Sequence, residues 1–149
     1  WMLTSNLSTS SATITSNLAE NSDADFYDRI GSAMTESSGI FTFPVIGKWL
    51  ISWTYHCNLT TESRYCEMQL RGTKNNSSYA FIGAAMTMVG DANTASAQSS
   101  GASAQMMVDI ENLTNDKVRF EAYAGATVSW LGDADAGRTY FTFMHIGST

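Results

Sequence analysis

Gly39-Ile40-Phe41-Thr42-Phe43-Pro44-Val45-Ile46-Gly47-Lys48-Trp49 is the stretch whose reading decides the fold. It reads as a strand, a corner at Pro44, a turn at Gly47, and then a second, longer strand running from Lys48 to Cys57. Pro44 marks the corner because its ring fixes φ and leaves no N–H for a ladder bond. In the longer strand Trp49, Ile51, Trp53, Tyr55 and Cys57 alternate with Ser52, Thr54 and His56, and Leu50 is the one apolar residue of the second set. Successive side chains of a strand face opposite sides, so this is a strand with one buried face. A helix would scatter the same aromatics around its whole circumference.

The same reading extends along the chain. Arg64 to Arg71 has Cys66, Met68 and Leu70 as its inward set. Tyr79 to Val89 is apolar on both faces, with Tyr79 and Phe81 on one and Ile82, Met86 and Met88 on the other. Ser103 to Ile110 buries Ala104, Met106, Val108 and Ile110, and Lys117 to Tyr123 buries Val118, Phe120 and Ala122. Gly125 to Leu131 is a further strand, Gly132 to Gly137 an acidic turn, and Arg138 to Ile146 closes the chain. Residues 1–37 are rich in Ser, Thr and Asn and read as edge strands with long connections, with room for a helical turn between Asn17 and Asp28. Short strands separated by Gly, Asn, Asp and Ser clusters predict one all-β domain over residues 1–149, a jelly-roll sandwich of eight to ten antiparallel strands.

Composition narrows the function. The chain has 149 residues, 44% of them hydrophobic and only 15% charged, with Ser, Thr and Asn filling the gap. Its net charge is -6, so counterion release from a phosphate backbone does not drive binding, and nucleic acid is not an expected partner. No run of about 20 apolar residues predicts a membrane span, and no basic segment followed by an apolar one predicts a signal peptide.

With the strands placed, a resemblance covers most of the chain. Gly39-Ile40-Phe41-Thr42-Phe43-Pro44, then Gly47 and Trp49, resembles the core signature of the globular head of complement component one subcomponent q, whose fold the tumour necrosis factor superfamily shares. Ser99 to Ile110 followed by Asn115, Asp116 and Val118 is similar to that family's next landmark. Thr139-Tyr140-Phe141-Thr142-Phe143 resembles its closing aromatic strand. The amino-terminal third, with Trp1-Met2-Leu3-Thr4-Ser5, Asn17-Leu18, Ile30-Gly31 and Met34 to Pro44, is similar to jelly-roll domains in structural proteins of marine tailed phages. No Gly-X-Y repeat of a collagen stalk is present. The resemblance implies a ten-stranded jelly roll assembled as a homotrimer. The doubly apolar strands agree, because a trimer axis supplies a second buried face. Tyr79, Phe81, Tyr140, Phe141 and Phe143 are then the expected interface residues, the alternative being central strands covered by the chain's own loops.

Reactive groups are few. His56 and His145 are the only histidines, and no metal-ligand spacing, nucleophile elbow or phosphate loop accompanies them. The expectation is no enzyme and no bound cofactor. Cys57 and Cys66 end one inward strand and begin the next, which makes a disulfide geometrically plausible, the alternative being two buried thiols. Gly132-Asp133-Ala134-Asp135-Ala136-Gly137 places alternate carboxylates on a flexible loop, a pattern that suits a hard cation such as calcium. Asp133, Asp135 and their partner Arg138 are therefore the candidate site for a cation or a polar, sugar-like ligand. The small-residue loop Asp91 to Gly101 is the second candidate. The expected role is a trimeric module on a virion or filament surface, extracellular, touching other structural proteins and a host-surface polysaccharide or protein. The alternatives are a capsid decoration protein and a secreted complement- or cytokine-like recognition protein.

Overall fold

Two glycines of the deciding stretch stand where no other residue fits. In the computed structural model, which describes residues 1–21, 27, 29–59, 63–88 and 98–148, Gly39 has φ +82° and Gly47 has φ +131°. A Cβ on Gly39 would lie 2.0 Å from the Ile14 carbonyl oxygen, and one on Gly47 2.3 Å from that of Gly147. Ser38 (φ 52°) and Gly39 form the two-residue turn of a hairpin in which Ser37 pairs with Ile40 and Thr35 with Thr42. Positive φ at both central residues is what a tight hairpin needs to match the twist of its strands. The corner that follows is closed by the Trp49 indole, which donates to the Val45 carbonyl at 3.1 Å.

Among the described residues eleven strands follow in chain order: β1 Met2–Leu3, β2 Leu7–Thr13, β3 Leu18–Ala19, β4 Thr35–Ser37, β5 Ile40–Thr42, β6 Gly47–Leu59, β7 Cys66–Thr73, β8 Ala80–Thr87, β9 Gln98–Ile110, β10 Lys117–Trp130 and β11 Tyr140–Gly147. All pairings are antiparallel. The sheet curls into two layers. One runs β3-β1-β11-β6-β9, and the other β4-β5-β10-β7-β8, with β2 beside the later part of β10. The layers join where Trp130 and Ser129 of β10 pair with Cys57 and Asn58 of β6. Apart from the β4-β5 and β7-β8 hairpins, sequence neighbours cross from one layer to the other, the arrangement of a jelly roll. The predicted fold class is the one the chain forms, and among the described residues no helix occurs.

The core lies between the layers. Trp49, Ile51, Trp53, Tyr55 and Cys57 of β6 are all buried, as their alternation predicts, and face Met68 and Leu70 of β7 and Val118, Phe120 and Trp130 of β10. Phe120 stacks on Phe141 with ring centroids 4.0 Å apart, and Tyr55 meets Trp130 at 5.2 Å. Buried aromatics with a polar atom need a partner. The Trp53 indole donates to the Met68 carbonyl at 2.9 Å and the Trp130 indole to the Thr9 carbonyl at 3.1 Å.

Several expectations are corrected. Lys117–Tyr123 and Gly125–Leu131 are one strand of 14 residues, β10, whose pairing with β2 shifts between Tyr123 and Val128. In β8, Leu70 pairs with Gly83 but Arg71 with Phe81, so Ile82 is an extra residue in a β-bulge. The bulge reverses the parity: Ile82 packs against the core, while Phe81 and Met86 share the outer face. The described part of residues 1–37 holds four short strands, where one or two edge strands with long connections were expected. Of the segment Asn17 to Asp28, residues 18–19 form β3, and 22–26 and 28 lie outside the described residues. The loop Asp91 to Gly101 is shorter than predicted, because Gln98–Gly101 already belong to β9; residues 91–97 lie outside the described residues.

Candidate functional site

The acidic turn between β10 and β11 is held from all sides. The Leu131 amide donates to the His56 carbonyl at 2.8 Å, the Gly132 amide to Asn6 Oδ1 at 3.0 Å, and the Asp133 amide to the Leu3 carbonyl at 2.9 Å. Asp133 Oδ1 accepts the Asp135 amide at 3.0 Å, and its Oδ2 accepts Arg138 Nε at 3.3 Å. The Asp135 amide, aided by the Arg138 guanidinium, holds the Asp133 carboxyl below the ordinary carboxylate range. Both oxygens of Asp133 are thus spent on bracing the turn. Asp135 is exposed. The structure brings Asp133 and Arg138 together. Among the described residues no group of three or more His, Cys, Asp or Glu side chains could hold a metal ion.

Arg138 also borders a shallow depression of about 410 Å³, shared with His56, Ser99, Ser100, Gly101 and Leu131. Gly101 is small of necessity: a Cβ there would lie 2.4 Å from the Tyr55 carbonyl oxygen and 2.7 Å from the His56 ring. Ser99 Oγ donates to Asn58 Oδ1 at 2.7 Å. A guanidinium, an imidazole and the Ser99 hydroxyl around an open floor suit a polar ligand rich in hydroxyl or carboxylate groups, while the Ser100 hydroxyl turns inward to Thr87 Oγ1 at 2.9 Å. The alternation of β6 had turned His56 outward, but only the pairing of His56 with Gly101 shows what it stands beside.

The outer faces of the two layers differ in kind. On the β10-β7-β8 layer Arg71 and Arg119 both pair with Glu121, Arg71 also donates to Gln69 at 2.8 Å, and the Arg119 guanidinium lies 4.2 Å from the Tyr79 ring centre. On the other layer the rows run across three strands in register: Met144, Leu50 and Met107; then Thr142, Ser52 and Gln105; then Tyr140, Thr54 and Ser103. These nine side chains carry no charge. Lys48 and Asp109, the next pair along, neutralise each other.

The expected interface residues fall on different surfaces. Phe141 is 1% exposed and Phe143 packs against the same core, meeting Phe41 at 5.0 Å. These two fill the inside of the single chain, because residues 141 and 143 of β11 share parity with the inward set. Tyr79 covers Arg119, and Phe81, on the bulged strand, lies on the charged layer opposite Arg71. Only Tyr140 is on the uncharged face.

Cys57 and Cys66 face each other across the sandwich, fully buried, as free thiols. The disulfide expected between them is not formed. The neighbouring Cys66 sulfur, with burial, pushes the Cys57 thiol far up, while Cys57 holds Cys66 below the ordinary thiol range against the opposing effect of burial. His56 and His145 stand on opposite faces of the sheet, His145 against Trp49 with ring centroids 5.0 Å apart. They form no pair.

No protein-family model matches the chain, and no curated protein matches it in sequence. Among solved structures it is similar to murine APRIL, in a crystal structure at pH 8.0. The identity is 10% and the TM-score 0.43, over 86% of this chain and 98% of that chain. A likeness that distant transfers nothing from that protein to this one, and the jelly roll stands on this chain's own strand pairing.

Proposed function

We propose that this chain is a non-enzymatic binding module that works as a homotrimer on the surface of a virion or filament, and that its self-association uses the outer face of β11, β6 and β9. The observation that carries this reading is the contrast between the two outer faces. One is laced with ion pairs that water solvates well. The other offers Met144, Leu50 and Met107 in one continuous row, with two uncharged rows on one side and the mutually neutralised Lys48–Asp109 pair on the other. Contiguous apolar surface on a soluble chain marks contact with a partner, and a closed cyclic assembly hides it equally in every copy. The resemblance to phage structural proteins and to complement-type heads supports three copies and an exposed location. The depression at His56, Ser99, Ser100 and Arg138 opens at one end of the same layer, where a host-surface saccharide would meet hydroxyl and guanidinium donors.

Light scattering during gel filtration tests the assembly. The wild type should elute at about three chain masses at micromolar concentration. Met107→Lys with Met144→Lys should give a folded monomer, since both side chains are already more than half exposed and their replacement costs the single chain within about 0.5 kcal/mol. A wild-type monomer, or a trimer indifferent to both lysines, would sink the reading. For the ligand end, Arg138→Ala should weaken attachment to the native surface without altering the mass.

A further inference from the structure

The ion pairs of the second layer stop at β7, and the strand beside them is apolar. On β10 and β7 the outward rows run Arg119 with Arg71, Glu121 with Gln69, and Tyr123 with Glu67. β8 continues the same three rows with Phe81, Ala84 and Met86. Phe81 is 57% exposed, Met86 61%, and Met88, the next residue of that parity, 77%. Three large apolar side chains thus stand in line along the last strand of the layer, since among the described residues β8 pairs only with β7. The bulge at Ile82 puts them there: without it, Phe81 would face the other way from Met86. The same bulge interrupts the backbone repeat of that edge, so an incoming strand finds no regular ladder. What β8 offers is its side chains.

The charge beside this stripe is unbalanced. Arg119 and Arg71 stand directly across from each other, a pairing of like charges that costs stability unless a carboxylate joins them. Glu121 is that carboxylate; it serves both guanidiniums and also accepts the Thr13 hydroxyl at 3.3 Å. Lys117, which shares the parity of Arg119 and donates to the Leu113 carbonyl, adds a third cation. Glu67 stands two rows away, where it accepts from Gln69. Among the outward side chains of β10, β7 and β8, the end at Arg71 and Phe81 therefore carries surplus positive charge, in a chain whose net charge is -6. The end at Met86 carries the opposite sign.

We propose that this stripe docks an acidic, apolar segment of another protein. A carboxylate of that segment bridges Arg71 and Arg119, and the apolar side chain next to it covers Phe81. A second apolar side chain lies over Met86 and Met88, about 13 Å away, the rise of β7 from Arg71 to Glu67. Charge fixes the direction, because the carboxylate is attracted at Arg71 and repelled by Glu67. A saccharide would leave Phe81, Met86 and Met88 in contact with polar groups, so the apolar line calls for a protein. The surface is separate from the outer face of β11, β6 and β9, so self-association and this partner do not compete.

A library of random dodecapeptides displayed on yeast tests this, selected on the full chain after depletion on Phe81→Ser with Met86→Ser. Both positions are more than half exposed, so this variant should keep the melting profile and the gel-filtration mass of the wild type. Depletion on Arg71→Gln replaces that step if the serine variant does not fold. Enriched peptides should carry Asp or Glu beside a large apolar residue, with a second apolar residue about four positions on. As synthetic peptides they should bind the wild type at least ~10-fold more tightly than Arg71→Gln, and Asn in place of their acid should cost as much. Met107→Lys with Met144→Lys should bind them unchanged, which separates this surface from the assembly face. No enrichment, enriched peptides without an acid, equal binding to Arg71→Gln, or loss of binding to the lysine variant would overturn the proposal. So would a drop in the mass of the folded serine variant, which would assign the stripe to a second copy.

Discussion

Asp116 shows how one buried carboxylate holds an end of the sandwich together. It is 2% exposed and accepts the Glu111 amide at 2.8 Å, the Asn112 amide at 3.1 Å and Lys74 Nζ at 2.9 Å. Burial raises its pKa, but Lys74 and the two amides outweigh burial and leave the carboxyl below its ordinary value. A depressed folded pKa contributes stability that is present above the unfolded value of ~3.9 and is lost as pH falls through the folded one. Denaturant midpoints should therefore drop as the pH falls below about 4, and less steeply in Asp116→Asn, which has no charge to lose. Asp116→Ala should cost about 1–3 kcal/mol at pH 7, because it strands two amides. Gly39 is the second residue on which the fold turns. Gly39→Ala meets both a positive φ and the Ile14 carbonyl, so it should lower stability by more than ~1 kcal/mol in urea unfolding.

At the scale of the element, parity does most of the work and bulges undo it. β6 keeps strict alternation over thirteen residues, and every inward residue from Trp49 to Cys57 is buried. β8 loses its alternation at Ile82, so Phe81 and Met86, expected on opposite faces, share the outer one. Phe141 on β11 tests the assignment of that strand. Phe141→Ala should destabilise the chain by ~3–5 kcal/mol in thermal or urea unfolding, the loss expected for a buried aromatic. Tyr140→Ala, on the outer face, should change the stability of the isolated chain far less. Thiol labelling reports on the join between β6 and β7. Cys57 and Cys66 are each 0% exposed and unbridged, so an alkylating reagent should modify neither in the native protein and both after denaturation without reductant. A denatured protein that stays unlabelled would show a disulfide instead.

For the whole molecule, the asymmetry of its two outer faces is the governing feature. The Arg71–Glu121–Arg119 network covers one layer, and three rows of uncharged side chains cover the other. Self-association through the second face, as proposed, would link folding to assembly, so the melting temperature of the wild type should rise with protein concentration. The same experiment on Met107→Lys with Met144→Lys should show no such rise. The acidic turn belongs to this scale as well, because Asn6, Leu3 and His56 tie it to three separate parts of the chain. Within the turn, Asp133 braces the chain through the Asp135 amide and Arg138.

The sequence by itself determined the all-β class, the one-sided β6, the inward sets of β7 and β10, the corner at Pro44 and the place of the acidic turn. Each of these follows from local rules: a period of two, a ring that fixes φ, a cluster of turn formers. Only the tertiary structure decided that β10 runs unbroken through Gly125, that Ile82 is a bulge, and that Phe141 and Phe143 are core rather than interface. It also decided that Asp133 accepts from the Asp135 amide and from Arg138. Parity tells which residues share a face, but it does not say which layer lies beneath that face or whether anything covers it. Those answers depend on pairings between residues more than a hundred positions apart, such as Trp1 with Phe141, which no local pattern encodes.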